Sequence, residues 1–235
     1  MGRAGAGLDV HRRGRSVAWQ RRIPAGRRHP QKGWRRVIKT ARDGDLAIIT
    51  LDRPDKANAL TADMLRDLIV AVRAARSAKA MILTGTGRVF SAGADLADVA
   101  ELKTSPLWEE LSAAIAALPG LTIAALNGTL AGGACGMALA CDLRVAAPGA
   151  KVFYPVMKLG VLPQPSDPAR LIALAGLSRA KLILLAGAKL TAQDAFACGL
   201  LDQIADDPMA AATALCGDAL AADLTHVSAI KAMLQ

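Results

Sequence analysis

The chain has 235 residues, enough for one sizeable core, and its 53% hydrophobic and 21% charged residues describe a folded chain rather than a disordered one. Residues 1–40 hold twelve Lys and Arg against the single Asp9, so the formal charge of +9 belongs to that stretch and does not mark the body as a nucleic-acid binder. No apolar run is long enough to span a bilayer, Cys135, Cys141, Cys198 and Cys216 lack ligand-like spacing, and only His226 of three histidines lies beyond residue 40, which argues against a His-rich metal centre or a Ser-His-Asp triad.

Residues 1–40 lack hydrophobic periodicity and are rich in Gly, Arg and Pro, the pattern of a disordered basic extension. Three origins compete: an organelle transit peptide, although Ser is scarce; a basic arm for nucleic acid or anionic membrane; and an extension upstream of a misplaced start, with Val37 as the true first residue. Leu46 to Leu51 then reads as a strand and Arg53-Pro54-Asp55-Lys56 as a turn. Thr61 is placed to cap a helix whose stripe of Met64, Leu65, Leu68, Ile69 and Val72 faces a core. A strand over Ala80 to Thr84 and the turn Gly85-Thr86-Gly87 follow.

Residues 98–106 read as a mobile segment ending in Ser105-Pro106. Leu107, Trp108, Leu111, Ile115 and Leu118 give the next helix a broad apolar face. Thr122 to Leu126 is a short buried strand, and Asn127-Gly128 a turn. Gly132-Gly133 and the small residues up to Cys141-Asp142 predict a tight loop opening into a closely packed helix, with Asp142 holding backbone groups. Leu143 to Ala147 is a further strand. Pro163 to Pro168 is a proline-rich loop, with Pro168 suited to the first position of a helix. Thr191-Ala192-Gln193-Asp194 is a capping-box start, Gly199 ends that helix, and an Ala-rich helix covers about 208–222. Strands alternating with amphipathic helices make the class α/β.

Paired glycines at a helix start let a ligand approach unpaired N–H groups, which suits a developing negative charge. The competing reading of the same residues is a Gly/Ala helix packed on a sheet.

Several pieces, in order, resemble the enoyl-CoA hydratase/isomerase (crotonase) family: Ile49 to Pro54, Ala57-Asn58-Ala59-Leu60, Phe90 to Leu96, Asn127 to Asp142, Tyr154-Pro155 with Leu159-Gly160, and Leu190 to Leu201. The resemblance covers roughly residues 44–204. It implies a spiral of ββα repeats, with a disordered basic extension over 1–40, a crotonase-like core over 41–204 and a truncated helical region over 205–235. It also favours the misplaced-start account of the extension.

The same resemblance implies an acyl-CoA thioester as ligand, with coenzyme A as part of the substrate, no other cofactor and no metal. Backbone N–H groups of Ala94 and Gly133 would form an oxyanion hole for an enolate-like state. Lys56, Ala57, Ala59, Ala92, Asp95, Leu96 and Gly132 would line the CoA and thioester path; Trp108 would wall the acyl pocket or belong to the core, and Tyr154 would donate a hydrogen bond at the site or pack against its loop. A cytoplasmic lyase or isomerase of fatty-acid metabolism, assembled as a homotrimer or hexamer and without specific nucleic-acid binding, is the implied setting.

One departure decides the chemistry. Hydratases of this family carry two glutamates where this chain has Gly136 and Val156, and neither residue exchanges a proton. The expected site is therefore an oxyanion hole without its flanking carboxylates, and ordinary hydration is not expected. Asp167 is the candidate substitute base; its other reading is a cap for the helix at Pro168. Non-catalytic acyl-CoA binding, as in a decayed paralogue, remains the rival function.

Overall fold

The computed structural model describes residues 37–234. β1 (Ile38–Asp43) and β2 (Leu46–Leu51) form an antiparallel hairpin. Residues 38–40, assigned from sequence to the extension, thus belong to the sheet; residues 1–36, with the origins weighed for them, lie outside the described residues. Thr61 caps α1 (Ala62–Ala74) by accepting a hydrogen bond from the Met64 N–H at 3.2 Å, and its predicted stripe is buried throughout. Each such Leu or Ile stabilises the fold by about 1.5–3 kcal/mol relative to an exposed position.

The chain then repeats one manoeuvre. β3 (Ala80–Gly85) turns into β4 (Val89–Ser91), and two helices, α2 (Val99–Leu102) and α3 (Leu107–Ala116), lead to β5 (Leu121–Leu126). β5 turns into β6 (Thr129–Ala131), and α4 (Cys135–Leu139) leads to β7 (Leu143–Ala146). β7 turns into β8 (Lys151–Phe153), followed by α5 (Val156–Leu159) and α6 (Asp167–Leu184), which is kinked at Gly176. The first strand of each turn joins a six-stranded sheet ordered β1-β2-β3-β5-β7-β10, and the second a four-stranded sheet ordered β4-β6-β8-β9. β9 (Leu190–Thr191), α7 (Ala192–Ala197) and β10 (Gln203–Ile204) complete both sheets. From β2 to β10 the larger sheet is parallel throughout, as crossovers through helices require. This is the α/β spiral of ββα repeats expected from the sequence.

Two local predictions change and one holds. The segment 98–106 is not wholly irregular, because Val99–Leu102 forms a helical turn that buries Leu102. The Ala-rich stretch is two helices, α8 (Pro208–Leu215) and α9 (Gly217–Ala221), broken at buried Cys216, and α10 (Leu224–Met233) follows. Thr191 and Asp194 do form the predicted capping box. No helix among the described residues is long and apolar enough to cross a membrane.

Asp142 holds backbone as predicted and does more. Its Oδ2 accepts the Thr122 N–H at 2.8 Å, the Thr122 hydroxyl at 2.9 Å and the Lys231 ammonium at 2.7 Å. It thereby ties the start of β5 to the end of α4 and to α10. Asp142→Ala is expected to lower the unfolding free energy by about 1–3 kcal/mol in denaturant titrations, since it strands the Thr122 N–H and leaves Lys231 only its bond to the Gly120 carbonyl at 3.1 Å.

Candidate active site

Two glycine-bearing turns meet backbone to backbone. The first is set by Asn58, fully buried: its Oδ1 accepts the Arg53 N–H at 2.8 Å, and its Nδ2 donates to the carbonyls of Thr86 at 2.9 Å and Val89 at 2.8 Å. The Ser91 hydroxyl donates to the Asn58 carbonyl at 2.8 Å. The segment after β4 is thereby held against Leu60, whose N–H donates to the Gly93 carbonyl at 2.7 Å and whose carbonyl accepts the Asp95 N–H at 2.8 Å. In a planar trans peptide the C=O and the following N–H point in opposite directions. The Gly93 carbonyl faces Leu60, so the Ala94 N–H faces away from it.

The second turn follows β6. Gly132–Ala134 is a 3-10 turn running into α4, and the Gly132 carbonyl accepts the Cys135 N–H. The peptide argument again applies: the Gly133 N–H points out of the start of this helical segment, where no intrahelical acceptor exists. Gly93, at φ +92°, sits where the turns touch, and a Cβ there would lie 2.9 Å from the Ala131 carbonyl oxygen and 3.4 Å from the Gly133 nitrogen. Only glycine permits both that backbone conformation and that approach. Ala94, Gly132 and Gly133 are half-buried, which leaves their peptides within reach of a ligand.

Gly136 and Val156 supply no carboxylate, and the space against Gly136 is taken by Asp167. Asp167 is fully buried, and its side chain occupies the space a residue larger than glycine would fill at position 136. A Cβ on Gly136 would lie 2.9 Å from Asp167 Oδ1 and 3.2 Å from Oδ2. Nor does Asp167 cap its helix: it is the first residue of α6, Ser166 precedes it as the N-cap position, and no side-chain capping bond forms. Instead Oδ2 accepts the Tyr154 hydroxyl at 3.0 Å. Oδ1 is buried without a hydrogen bond, the nearest cation being Arg170 Nη1 at 3.9 Å. Burial pushes the Asp167 carboxyl up to about 6, against the opposing pull of the Tyr154 hydrogen bond and of Arg170. Val156 is buried hydrocarbon.

The other sequence candidates divide. Trp108 is buried, donates Nε1–H to the Leu102 carbonyl at 3.0 Å, and lays its ring so close to Gly133 that a Cβ there would be 3.1 Å away. It is both a core residue and a wall beside the Gly133 peptide. Asp95 pairs with Arg53, and its carboxyl is held below the usual range first by the Ala97 N–H and then by Arg53, so it is a structural anion and no proton donor. Ala57 and Ala59 turn their carbonyls inward, to the Ala92 N–H at 3.0 Å and the Arg53 guanidinium at 3.0 Å. The side chains of Lys56 and Leu96 are exposed on the same loops.

A further polar group beside Asp167 has no signature in the sequence. Glu109 Oε2 accepts the Ser166 N–H at 3.2 Å and hydroxyl at 3.0 Å, and Arg170 Nη1 donates to the Ser166 hydroxyl at 2.6 Å. A contact between residues 109 and 166 has no spacing signature, so only the fold reveals it. Among the described residues, no cluster of His, Cys, Asp and Glu is arranged to hold a metal.

The sequence profile described as enoyl-CoA hydratase/isomerase matches residues 41–235. YngF of Bacillus subtilis (strain 168), which carries an enoyl-CoA hydratase/isomerase name, is 38% identical over 178 residues, 72% of this chain and 68% of its own. The echA6 protein of Mycobacterium bovis, named as an enoyl-CoA hydratase, is 39% identical over 159 residues, 66% of this chain and 65% of its own. The chain thus spans about two thirds of the length of the relatives it matches. Among solved structures, Pseudomonas aeruginosa DspI superposes with a TM-score of 0.79 at 28% identity, covering 88% of this chain and 90% of that one.

Two outcomes follow from the placement of Asp167. Gly136→Glu is expected to lower the melting temperature, by overpacking worth about 1–3 kcal/mol, and Asp167→Gly in the same chain to recover most of the loss. Asp167→Asn is expected to gain stability with a definite pH dependence. A carboxyl held at about 6 when folded, against 3.8 ordinarily, makes the folded chain the stronger proton binder between those values. Stability therefore falls as pH rises through that window, and the cost is fully present above about 6. Asp167→Asn should exceed the parent by up to ~3 kcal/mol above pH 7 and by nothing below pH 4, read from denaturant titrations at both.

Proposed function

Because this chain belongs to the enoyl-CoA hydratase/isomerase family, we propose that it binds an acyl-CoA thioester, draws the thioester oxygen onto the N–H groups of Ala94 and Gly133, and moves a proton on the acyl chain with Asp167. The observation that carries this reading is the Asp167 carboxylate standing against Gly136, with one oxygen buried and without a hydrogen bond. A buried acceptor left unmet is costly and is characteristic of a group that receives its partner during reaction.

The chemistry is a proton shift. Asp167 removes a proton from a carbon conjugated through the alkene to the thioester. The C–H electron pair moves into the conjugated system and charges the thioester oxygen, which the two peptide N–H groups hold. The carboxylic acid returns the proton to the other end of the delocalised system. The double bond moves, and no water is consumed. Val156 offers no second carboxylate to orient water, which favours isomerisation over hydration. Lys56 attracts CoA phosphate as a point charge, and the backbone from Ala57 to Ala59 and around Asp95-Leu96 lines the CoA path. Assembly as a homotrimer or hexamer, in cytoplasmic fatty-acid metabolism, belongs to the same proposal; exposed Leu162, Leu177 and Leu185 support the assembly. Acyl-CoA binding without turnover is the second reading, favoured by the lack of any exposed surface on Asp167.

A panel of 2-enoyl- and 3-enoyl-CoA substrates tests both. Asp167→Asn is expected to cut kcat by about 10²–10⁴ while leaving acyl-CoA affinity by calorimetry unchanged. The parent rate should rise with pH through about 6 and level off above it, as the carboxyl becomes a base, and this limb should vanish in the variant. A fully active Asp167→Asn enzyme would remove Asp167 from the chemistry; binding with no turnover anywhere on the panel would leave the second reading.

A further inference from the structure

The placement of Tyr154 carries an inference that deepens the reading just given and rests on it. The Gln164 N–H donates to the Tyr154 phenol oxygen at 3.3 Å. An amide N–H only donates, so the phenol accepts there and its own hydrogen is left for Asp167 Oδ2, at 3.0 Å. Gln164 and Asp167 close one turn, since the Asp167 N–H donates to the Gln164 carbonyl at 3.1 Å. Tyr154 therefore grips both ends of the turn that carries the carboxylate. Oδ1, the oxygen nearer to Gly136, stays without a hydrogen bond.

We propose that Tyr154 is the positioning residue for Asp167: its hydroxyl fixes Oδ2 and leaves Oδ1 as the oxygen that takes and returns the proton. The hydroxyl does not itself exchange a proton with substrate; burial and the neighbouring Asp167 drive its own ionisation far above its usual range. The charged and titratable groups facing Asp167 are Tyr154 after β8, Arg170 on α6, Glu109 on α3 and Cys135 on α4. Of these, only Tyr154 forms a hydrogen bond to the carboxylate.

Tyr154 is the only tyrosine in the chain, so replacing all tyrosine with 3-fluorotyrosine during expression alters this one hydroxyl and nothing else. The fluorinated phenol is more acidic and a stronger donor; Tyr154→Phe removes the donor. The pH limb of kcat is expected to move up by about one pH unit in Tyr154→Phe, with kcat reduced and acyl-CoA affinity retained, and to move down in the fluorotyrosine protein. Carbon-13 NMR titration of the labelled Asp167 carboxyl, without substrate, should move in the same two directions. A limb and a carboxyl titration that stay at their parent positions in both proteins would overturn the proposal. If no substrate is turned over, the proton-shift reading fails, and the carboxyl titration still decides separately whether Tyr154 governs Asp167. A Tyr154→Phe chain that does not fold leaves the fluorotyrosine arm to decide alone.

Discussion

A carboxylate buried against a glycine is the constraint on which the rest of this site depends. Desolvation disfavours the charged form of Asp167, while the Tyr154 hydroxyl and the Arg170 guanidinium favour it. Its position as first residue of α6 adds the favourable field of a helix start, though not a capping bond. Desolvation wins, but only in part, and the balance leaves the carboxyl near neutrality. A group poised there is ionised in much of the physiological range and is a stronger base than a fully hydrated aspartate.

The scaffold makes this possible through repetition. Each ββα turn delivers one strand to the large sheet and one to the small sheet, and the loops leaving β4 and β6 emerge as neighbours because those strands are parallel partners. Parallel pairing puts equivalent ends side by side, so the Ala94 and Gly133 peptides arrive together without any side chain to bring them. The next turn brings β8 beside β6, and with it Tyr154 and the loop that ends in Asp167. The two peptides and the carboxylate of the proposed site thus come from three successive repeats. The geometry of these loops is that of the strand register, held by polar ties such as buried Asn58 and half-buried Asp142.

Much of this was legible in the chain. Four strands of the large sheet, β2, β3, β5 and β7, and the α1 stripe followed from periodicity, the capping box of α7 from four residues, and the two glycine turns from composition. Asp167 was visible as a candidate, but its role was not, because an aspartate just before a proline at a helix start reads equally well as a cap. What decides between them is the absence of a side chain at residue 136, thirty-one positions earlier, and a tyrosine thirteen positions earlier. Neither relation has a spacing rule; both are products of the spiral. The division of 208–222 at Cys216 was hidden for a simpler reason: alanine is compatible with a helix everywhere, so an Ala-rich run carries no signal for where one stops.

Gly136 and Asp167 are best understood as one feature. Glycine at 136 without Asp167 would leave a void on α4, and Asp167 with any larger residue at 136 would meet a Cβ inside 3 Å of its oxygen. Each residue makes the other tolerable, so reading either position alone misleads: residue 136 by itself says that the acid has gone, and residue 167 by itself says that a helix has been capped. Together they say that the carboxylate is supplied from the start of α6 instead of from α4. That change of origin has a chemical consequence. A carboxylate bonded at Oδ2 by a phenol leaves a single oxygen free, and on the proposed reading a single oxygen that both removes and returns a proton serves migration of a double bond more naturally than addition of water across one.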